Sequence, residues 1–307
     1  RHVGRLIAAL VFGIMIVRWS PVPYRFGWDG AIARRLLGFG LPLAAASLVV
    51  FASGYADQIV VGSVLGAQAL GFYVLAFNLA AWPVSIFSLP LRAVAPAAFS
   101  AMKSEPHRMT SSFTRVLSIL SCVAVPACLA LSGAAGPVVA FVYGADWMPA
   151  AEPLVWLAGL ATLRIWFELS YDYLVVAGRS GRLLAIQAVS FVAALPLMLL
   201  VVERLGPSGV AAAQLCVALV IAAPLYLASL SRIGVRIRAV LSAILMPILG
   251  GALAWGAGWL LSSAVAMPFA AASAAGLFAV AMAGILCLRH RDDLRLLRAA
   301  ARGGAAT

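Results

Sequence analysis

The stretch DQIVVGSVLGAQALGFY, residues 57–73, lies between two long apolar runs and decides how they are arranged. Gly62, Gly66 and Gly71 fall among Val, Leu and Ala. Small residues of this kind let a chain reverse tightly with little polar backbone exposed. Crossing a hydrocarbon core takes about 20 helical residues. The runs on either side, 36–62 and 69–98, are each long enough. The stretch therefore predicts a membrane hairpin.

The rest of the chain supports that reading. Of its 307 residues, 64% are hydrophobic and only 10% are charged, with a mean hydropathy of +1.05. Soluble folds carry roughly a quarter charged residues to wet their surface, so a water-soluble globule is excluded. Further apolar runs occupy 4–18, 112–134, 150–177, 183–203, 208–230, 238–262 and 266–289, which brings the candidate spans to nine. They are too long for barrel strands and do not alternate. The expected fold is an all-α integral membrane bundle of about nine transmembrane helices. Less apolar segments, 18–35, 102–115 and the tail after Arg289, are too short to hide a separate soluble domain. Pro83, Pro90 and Pro96 predict a bent, mobile third span, and Gly250, Gly251, Gly256 and Gly258 mark the eighth as a helix that could bend around a cavity.

A net charge of +12 would suit a nucleic-acid binder, but in a membrane protein basic residues first mark topology. Alternate loops lie on opposite faces of the bilayer. One set holds Arg18, Arg25, Arg34 and Arg35; Arg92, Lys103, Arg108 and Arg115; Arg179 and Arg182; Arg232, Arg236 and Arg238; and the tail arginines from Arg289 to Arg302. Of the 22 basic residues only Arg1, Arg5, Arg164 and Arg204 lie elsewhere. Orientation explains the charge without nucleic acid and predicts a cytoplasmic C-terminus. The tail RHRDDLRLLRAAARGG reads as a solvated topogenic segment or a short helix on anionic lipid. The opening RHVGRLIAALVFGIMIV looks like a signal peptide, but Arg18 and Trp19 stand where a cleavage site should be. With no initiator Met either, the chain is expected to begin inside a longer protein.

Cys122, Cys128, Cys216 and Cys287 lie in apolar runs without C-x-x-C spacing and read as small buried hydrophobes. No metal site is expected. His2, His107 and His290 lie outside the spans, which leaves no support for a Ser/His/Asp constellation; neither catalytic residues nor an enzyme activity is predicted. The outer connection 133–150 reads as the longest loop on its side, with Asp146 as its charge.

Within the fifth span, LRIWFELSYDYL at 163–174 places three charges where lipid-facing residues would be apolar. At 100° per residue, Arg164, Glu168, Asp172 and Tyr171 share one face, and Trp166 and Tyr173 take the other. An ionised group facing lipid costs at least about 2.5–3.5 kcal/mol, so the charged face must point into the bundle or a wet cavity. Arg164 and Glu168, spaced i and i+4, could simply neutralise each other. Asp57, in the outer part of its helix, is either a neutral hydrogen-bonded cap or a group that titrates during transport.

The pattern Asp57, Gly62, Leu65-Gly66, Leu70-Gly71 and Tyr73 resembles a signature of the polysaccharide transporter (Wzx-type) flippases of the MOP exporter superfamily. Further matches follow in the family's order: FNLAAWP with Asn78 and Pro83, LPLRAVAPAAFSAM with Arg92 and Pro96, VYGADW with Gly144 and Trp147, Leu163-Arg164, AGR at 177–179, and LGPSGVAAA from Leu205. Family members are bundles of about twelve to fourteen helices in two six-helix lobes facing a central cavity. The resemblance implies that 1–35 holds the last helix of the first lobe and an inter-lobe linker, 36–231 the second lobe, 232–289 two additional helices, and 290–307 a basic cytoplasmic tail.

By the same resemblance, the chain is expected to move undecaprenyl-pyrophosphate-linked oligosaccharide across the bacterial inner membrane by alternating access, for capsule, exopolysaccharide or O-antigen assembly. Arg164 would grip the pyrophosphate, since a guanidinium keeps its charge when dehydrated and pairs bidentately with phosphate. Arg92, Asn78 and Tyr171 would line the transport path, although Arg92 equally suits a cytoplasmic anchor and Asn78 an interhelical bond. Glu168, Asp57 and Asp172 are candidates for coupling to a proton or sodium gradient; no cofactor is implied. Expected partners are the lipid-linked oligosaccharide, anionic lipid and polysaccharide polymerase or chain-length proteins. Alternatives are a MATE-type cation or drug antiporter, which would favour an acidic cavity, a membrane glycosyltransferase or ligase, and a non-transporting partner in polysaccharide assembly.

Overall fold

The computed structural model describes residues 2–19, 30–264 and 267–289. The central part of the expected linker, residues 20–29, and the basic tail 290–307 lie outside the described residues. Among the described residues there is no strand. The helices are α1 (His2–Trp19), α2 (Gly30–Ala101), α3 (Pro106–Gly133), α4 (Ala135–Tyr143), α5 (Ala151–Val176), α6 (Ser180–Val217), α7 (Ala223–Ser231), α8 (Ile237–Ala264) and α9 (Pro268–Arg289). The backbone forms two compact units, Arg1–Leu41 and Pro42–Thr307. The first contains α1, whose last turn carries Arg18. The second contains the core and the site described below.

At 1.5 Å per residue, the 72 residues of α2 would make a straight rod of about 110 Å, far longer than a bilayer is thick. The rod is broken at Gly66, whose φ of 86° and ψ of 179° lie in a region essentially restricted to glycine. Asp57 bonds Tyr73, and a Cβ on Gly62 would sit 3.0 Å from the Leu70 side chain. Both pairs are placed almost evenly about Gly66, so the helix folds back on itself there. The hairpin expected from the glycine-rich turn is present, and its reversal is confined to one residue. Gly206 does the same in α6, with φ 63° and ψ −154°, and Gln214 meets Met198 across it. With the arms of α2 and α6 counted separately and α7 continuing the second arm of α6, the described helices supply nine segments of span length. Five stretches are long and apolar enough to be recognised as spans by composition: 36–88, Pro106–Gly133, Ser180–Ser231, 237–263 and 268–288. Two of them are these broken hairpins.

Two sequence expectations need correction. The outer connection 133–150 is not an open loop: α4 and a 3₁₀ turn, Ala145–Ala150, fill most of it. Val138 and Val139 within AGPVVAFVY pack against the core, which orders a segment too short to span. The cysteines divide, Cys122 and Cys128 being buried while Cys216 is exposed and Cys287 intermediate. Three glycines of α8, Gly250, Gly251 and Gly258, sit at close helix crossings. A Cβ on Gly251 would press on Val125 and Leu129 of α3, one on Gly258 on the backbone at 130–134, and one on Gly250 on Met282 and Leu286 of α9. Small residues at helix crossings are how membrane helices gain van der Waals contact in the absence of a hydrophobic drive between them.

The second unit has two main apolar clusters. One gathers residues near the Gly66 and Gly206 reversals, including Tyr73, Leu79, Leu154 and Val210. The other gathers residues of the α2 end, α3, α5 and α6, including Phe99, Phe113, Leu169 and Leu183. Trp166 and Phe167 of α5 pack against both. The charged stretch of α5 is therefore set at the waist between two apolar layers.

Candidate functional site

One side of α5 is fixed by its neighbours. Trp166 donates its indole N–H to Ser121 Oγ of α3 at 2.9 Å, and Tyr173 packs edge-on to Phe99 and closely against Phe113, with its hydroxyl 3.1 Å from Thr110. Anchoring that side turns the opposite one inward. There Arg164, Glu168 and Tyr171, with Arg92 of α2, line a cavity of about 430 Å³ whose other walls come from the first arm of α2 and from α6 onward. A cavity of that size falls within the range of small-ligand sites. A π-helical turn at Ala218–Ala222 contributes Ala218 and Ala222 to its wall. Such irregular turns are frequent at functional sites.

The charges are not paired as helical spacing suggested. Glu168 lies 4.0 Å from Arg92, and no ion pair joins it to Arg164 among the described residues. Arg92 Nε and Nη2 donate to the two carboxylate oxygens of Asp172 at 3.2 and 3.4 Å, a forked arrangement that fixes orientation as well as charge. The two residues are 80 apart in sequence, so no local rule could have found the contact. Arg164 instead stands over the Phe77 ring, 5.1 Å from its centroid. An aromatic face attracts a guanidinium without neutralising it. The two arginines in one cavity thus differ in state: Arg92 is held between two carboxylates, and Arg164 keeps its charge directed at the open space.

The other sequence candidates are distributed around this centre. Tyr171 lines the cavity with its hydroxyl 3.3 Å from Ser47 Oγ. Asp172, buried and bonded to Arg92, is not among the described cavity-lining residues. Asp57 is 1% exposed and accepts from the Tyr73 hydroxyl at 2.8 Å and from the Gln58 backbone N–H at 2.9 Å. That bond ties the two arms of the α2 hairpin together. Asn78 is exposed and is not among the described cavity-lining residues. Sequence reasoning passed over Gln187, Ser190, Gln214 and Tyr226, all of which line the cavity. Their signal was present, since Gln187 and Ser190 are polar residues one turn apart in an apolar run.

Residues 2–152 match the family described as "Polysaccharide biosynthesis protein". The chain is 26% identical over 171 residues to teichuronic acid biosynthesis protein TuaB of Bacillus subtilis, a match covering 56% of this chain and 35% of that protein. It is 26% identical over 163 residues to lipopolysaccharide biosynthesis protein WzxC of Escherichia coli, covering 52% of this chain and 33% of the relative. These matches therefore span about a third of each relative's length. Among solved structures, the inward closed conformation of the lipid II flippase MurJ shares the fold, with a TM-score of 0.68 at 15% identity, over 94% of this chain and 61% of that one. Family match, relatives and fold point the same way: the chain is a multi-pass membrane protein that is similar to polysaccharide biosynthesis proteins and shares its fold with a lipid flippase.

Proposed function

We propose that the chain forms the substrate-handling lobe of a flippase that carries undecaprenyl-pyrophosphate-linked oligosaccharide across the bacterial inner membrane. The observation that carries this reading is Arg164, a guanidinium facing a membrane-embedded cavity with no carboxylate within ion-pair distance among the described residues. A cation inside a membrane bundle is costly to maintain, so leaving it unneutralised makes sense where an anion visits. Phosphate suits a guanidinium both in charge and in bidentate geometry. With Arg92 committed to Asp172 and Glu168, the cation left facing the cavity among its described lining is Arg164, and it favours anionic cargo over the cations of a drug antiporter.

Transport would proceed by alternating access, with the headgroup crossing through the cavity while the lipid tail stays in the bilayer. The function is transfer across the membrane rather than bond-making, and coupling to protons or sodium would use Glu168 or Asp57. The excess of arginine in alternate loops supports a cytoplasmic C-terminus. The test is complementation. With Arg164→Ala in the intact protein, a strain that depends on it should lose surface polysaccharide export while the protein stays in the membrane at normal level. Undiminished export would refute the assignment.

A further inference from the structure

The cavity has two chemically different walls. Every charged residue among its described lining comes from the second arm of α2 or from α5: Arg92, Arg164 and Glu168. From α6 onward the described lining contains no charge and consists of amide, hydroxyl and apolar groups. Three features of that neutral wall favour a polyhydroxylated ring. Gln187 Nε2 donates to the Tyr226 hydroxyl at 3.0 Å, which fixes the amide and leaves its Oε1 without a protein partner among the described residues. Ser190 Oγ is buried in the same wall and has no partner among the described residues either. Phe167 lies stacked on Tyr226, with ring centroids 4.9 Å apart and planes 14° from parallel, and lines the cavity. A buried hydroxyl left unpaired is unfavourable, and it becomes favourable when a visiting hydroxyl completes it. A flat aromatic plate beside such groups suits the C–H face of a sugar.

We propose that the α6 wall is the subsite for the sugar next to the pyrophosphate, and that it selects a neutral pyranose over a uronic acid. A uronate placed there would bring an anion to a wall whose described lining holds no cation, Arg182 of α6 lying outside that lining, and burying an unpaired charge is far costlier than burying a hydroxyl that finds a partner. The assignment rests on the reading of Arg164 as the pyrophosphate contact. The headgroup then lies across the cavity, phosphates towards α5 and the first sugar towards Gln187 and Ser190.

The two readings separate in one binding experiment on the intact protein in lipid nanodiscs, with three probes: undecaprenyl pyrophosphate, its N-acetylglucosaminyl conjugate and its glucuronyl conjugate. The N-acetylglucosaminyl probe should bind about tenfold tighter than either of the others, as expected for one or two added hydrogen bonds. Gln187→Ala and Ser190→Ala should each reduce that preference several-fold and leave affinity for undecaprenyl pyrophosphate unchanged, which also shows that the variants fold. If Gln187→Ala proves too unstable to assay, Tyr226→Phe, which releases the amide, should show the same loss of preference. Equal binding of all three probes by the wild type, or a preference that survives the variants, overturns the sugar subsite. Arg164→Ala should weaken all three probes alike; if it weakens none, the phosphate reading fails instead.

Discussion

Removing either partner of the Arg92–Asp172 pair should give unequal losses, and the structure sets their order. The Asp172 side chain is 8% exposed and that of Arg92 is 38% exposed. Breaking a fully buried pair by deleting one partner costs about 3–5 kcal/mol, mostly through the charge left behind, whereas exposed pairs are worth about 0.2–1 kcal/mol. Arg92→Met leaves the buried Asp172 carboxylate without its forked donor, and the cost should approach about 3 kcal/mol. Asp172→Asn leaves Arg92 with Glu168 at 4.0 Å and with access to the cavity, so after allowance for screening the cost should be about 1 kcal/mol. Once one partner is gone the other contributes little, so the double variant should be more stable than the sum of the single losses predicts, by about 1–2 kcal/mol. Thermal unfolding of the detergent-solubilised intact protein, read as loss of monodisperse material, measures all three. Additive losses, or Asp172→Asn as damaging as Arg92→Met, would refute the reasoning.

Glu168→Gln removes the one carboxylate among the described cavity-lining residues and should tighten binding of undecaprenyl pyrophosphate a few-fold, measured by titration in nanodiscs. Gly66→Ala forces a side chain into a backbone region that glycine alone tolerates and should cost about 1–3 kcal/mol of thermal stability; Gly256→Ala, which meets nothing within 4 Å, should be neutral in the same assay. Gly133→Ala would drive a Cβ into the Trp255 carbonyl and should weaken the α3–α8 crossing by about 1–3 kcal/mol, again read by thermal unfolding. Tyr73→Phe deprives the buried Asp57 of a hydrogen bond and should cost about 1.5–3 kcal/mol, read as a lower unfolding temperature.

The elements were legible because hydrophobic length and glycine punctuation are local signals. The run 36–98 could be divided at its glycines, and the inward face of α5 could be read from the spacing of Arg164, Glu168 and Asp172. Partner choice was not legible, because it depends on which helices meet. The i, i+4 rule offered Arg164 to Glu168, yet an arginine from α2 reaches that carboxylate and Asp172, and the Phe77 ring takes Arg164. A hydrogen-bonded Asp57 was one of two readings open from the sequence, but its partner, Tyr73, is set by the reversal at Gly66. Short segments were the other blind spot: α4 is too brief to register as a span and is ordered by the packing of Val138 and Val139. Gln187 and Ser190 were overlooked because the reading followed charge, and the neutral wall of a cavity carries none.

The central claim is that Arg164 receives an anionic lipid headgroup inside the membrane. It is tested most directly by following translocation of a labelled undecaprenyl-pyrophosphate glycolipid in proteoliposomes containing the intact protein, wild type against Arg164→Ala and Arg164→Lys. The account predicts that Arg164→Ala abolishes movement between leaflets and that Arg164→Lys, a point charge without the bidentate fork, restores only part of it. Equal rates for wild type and Arg164→Ala, in proteoliposomes of equal protein content, would contradict it.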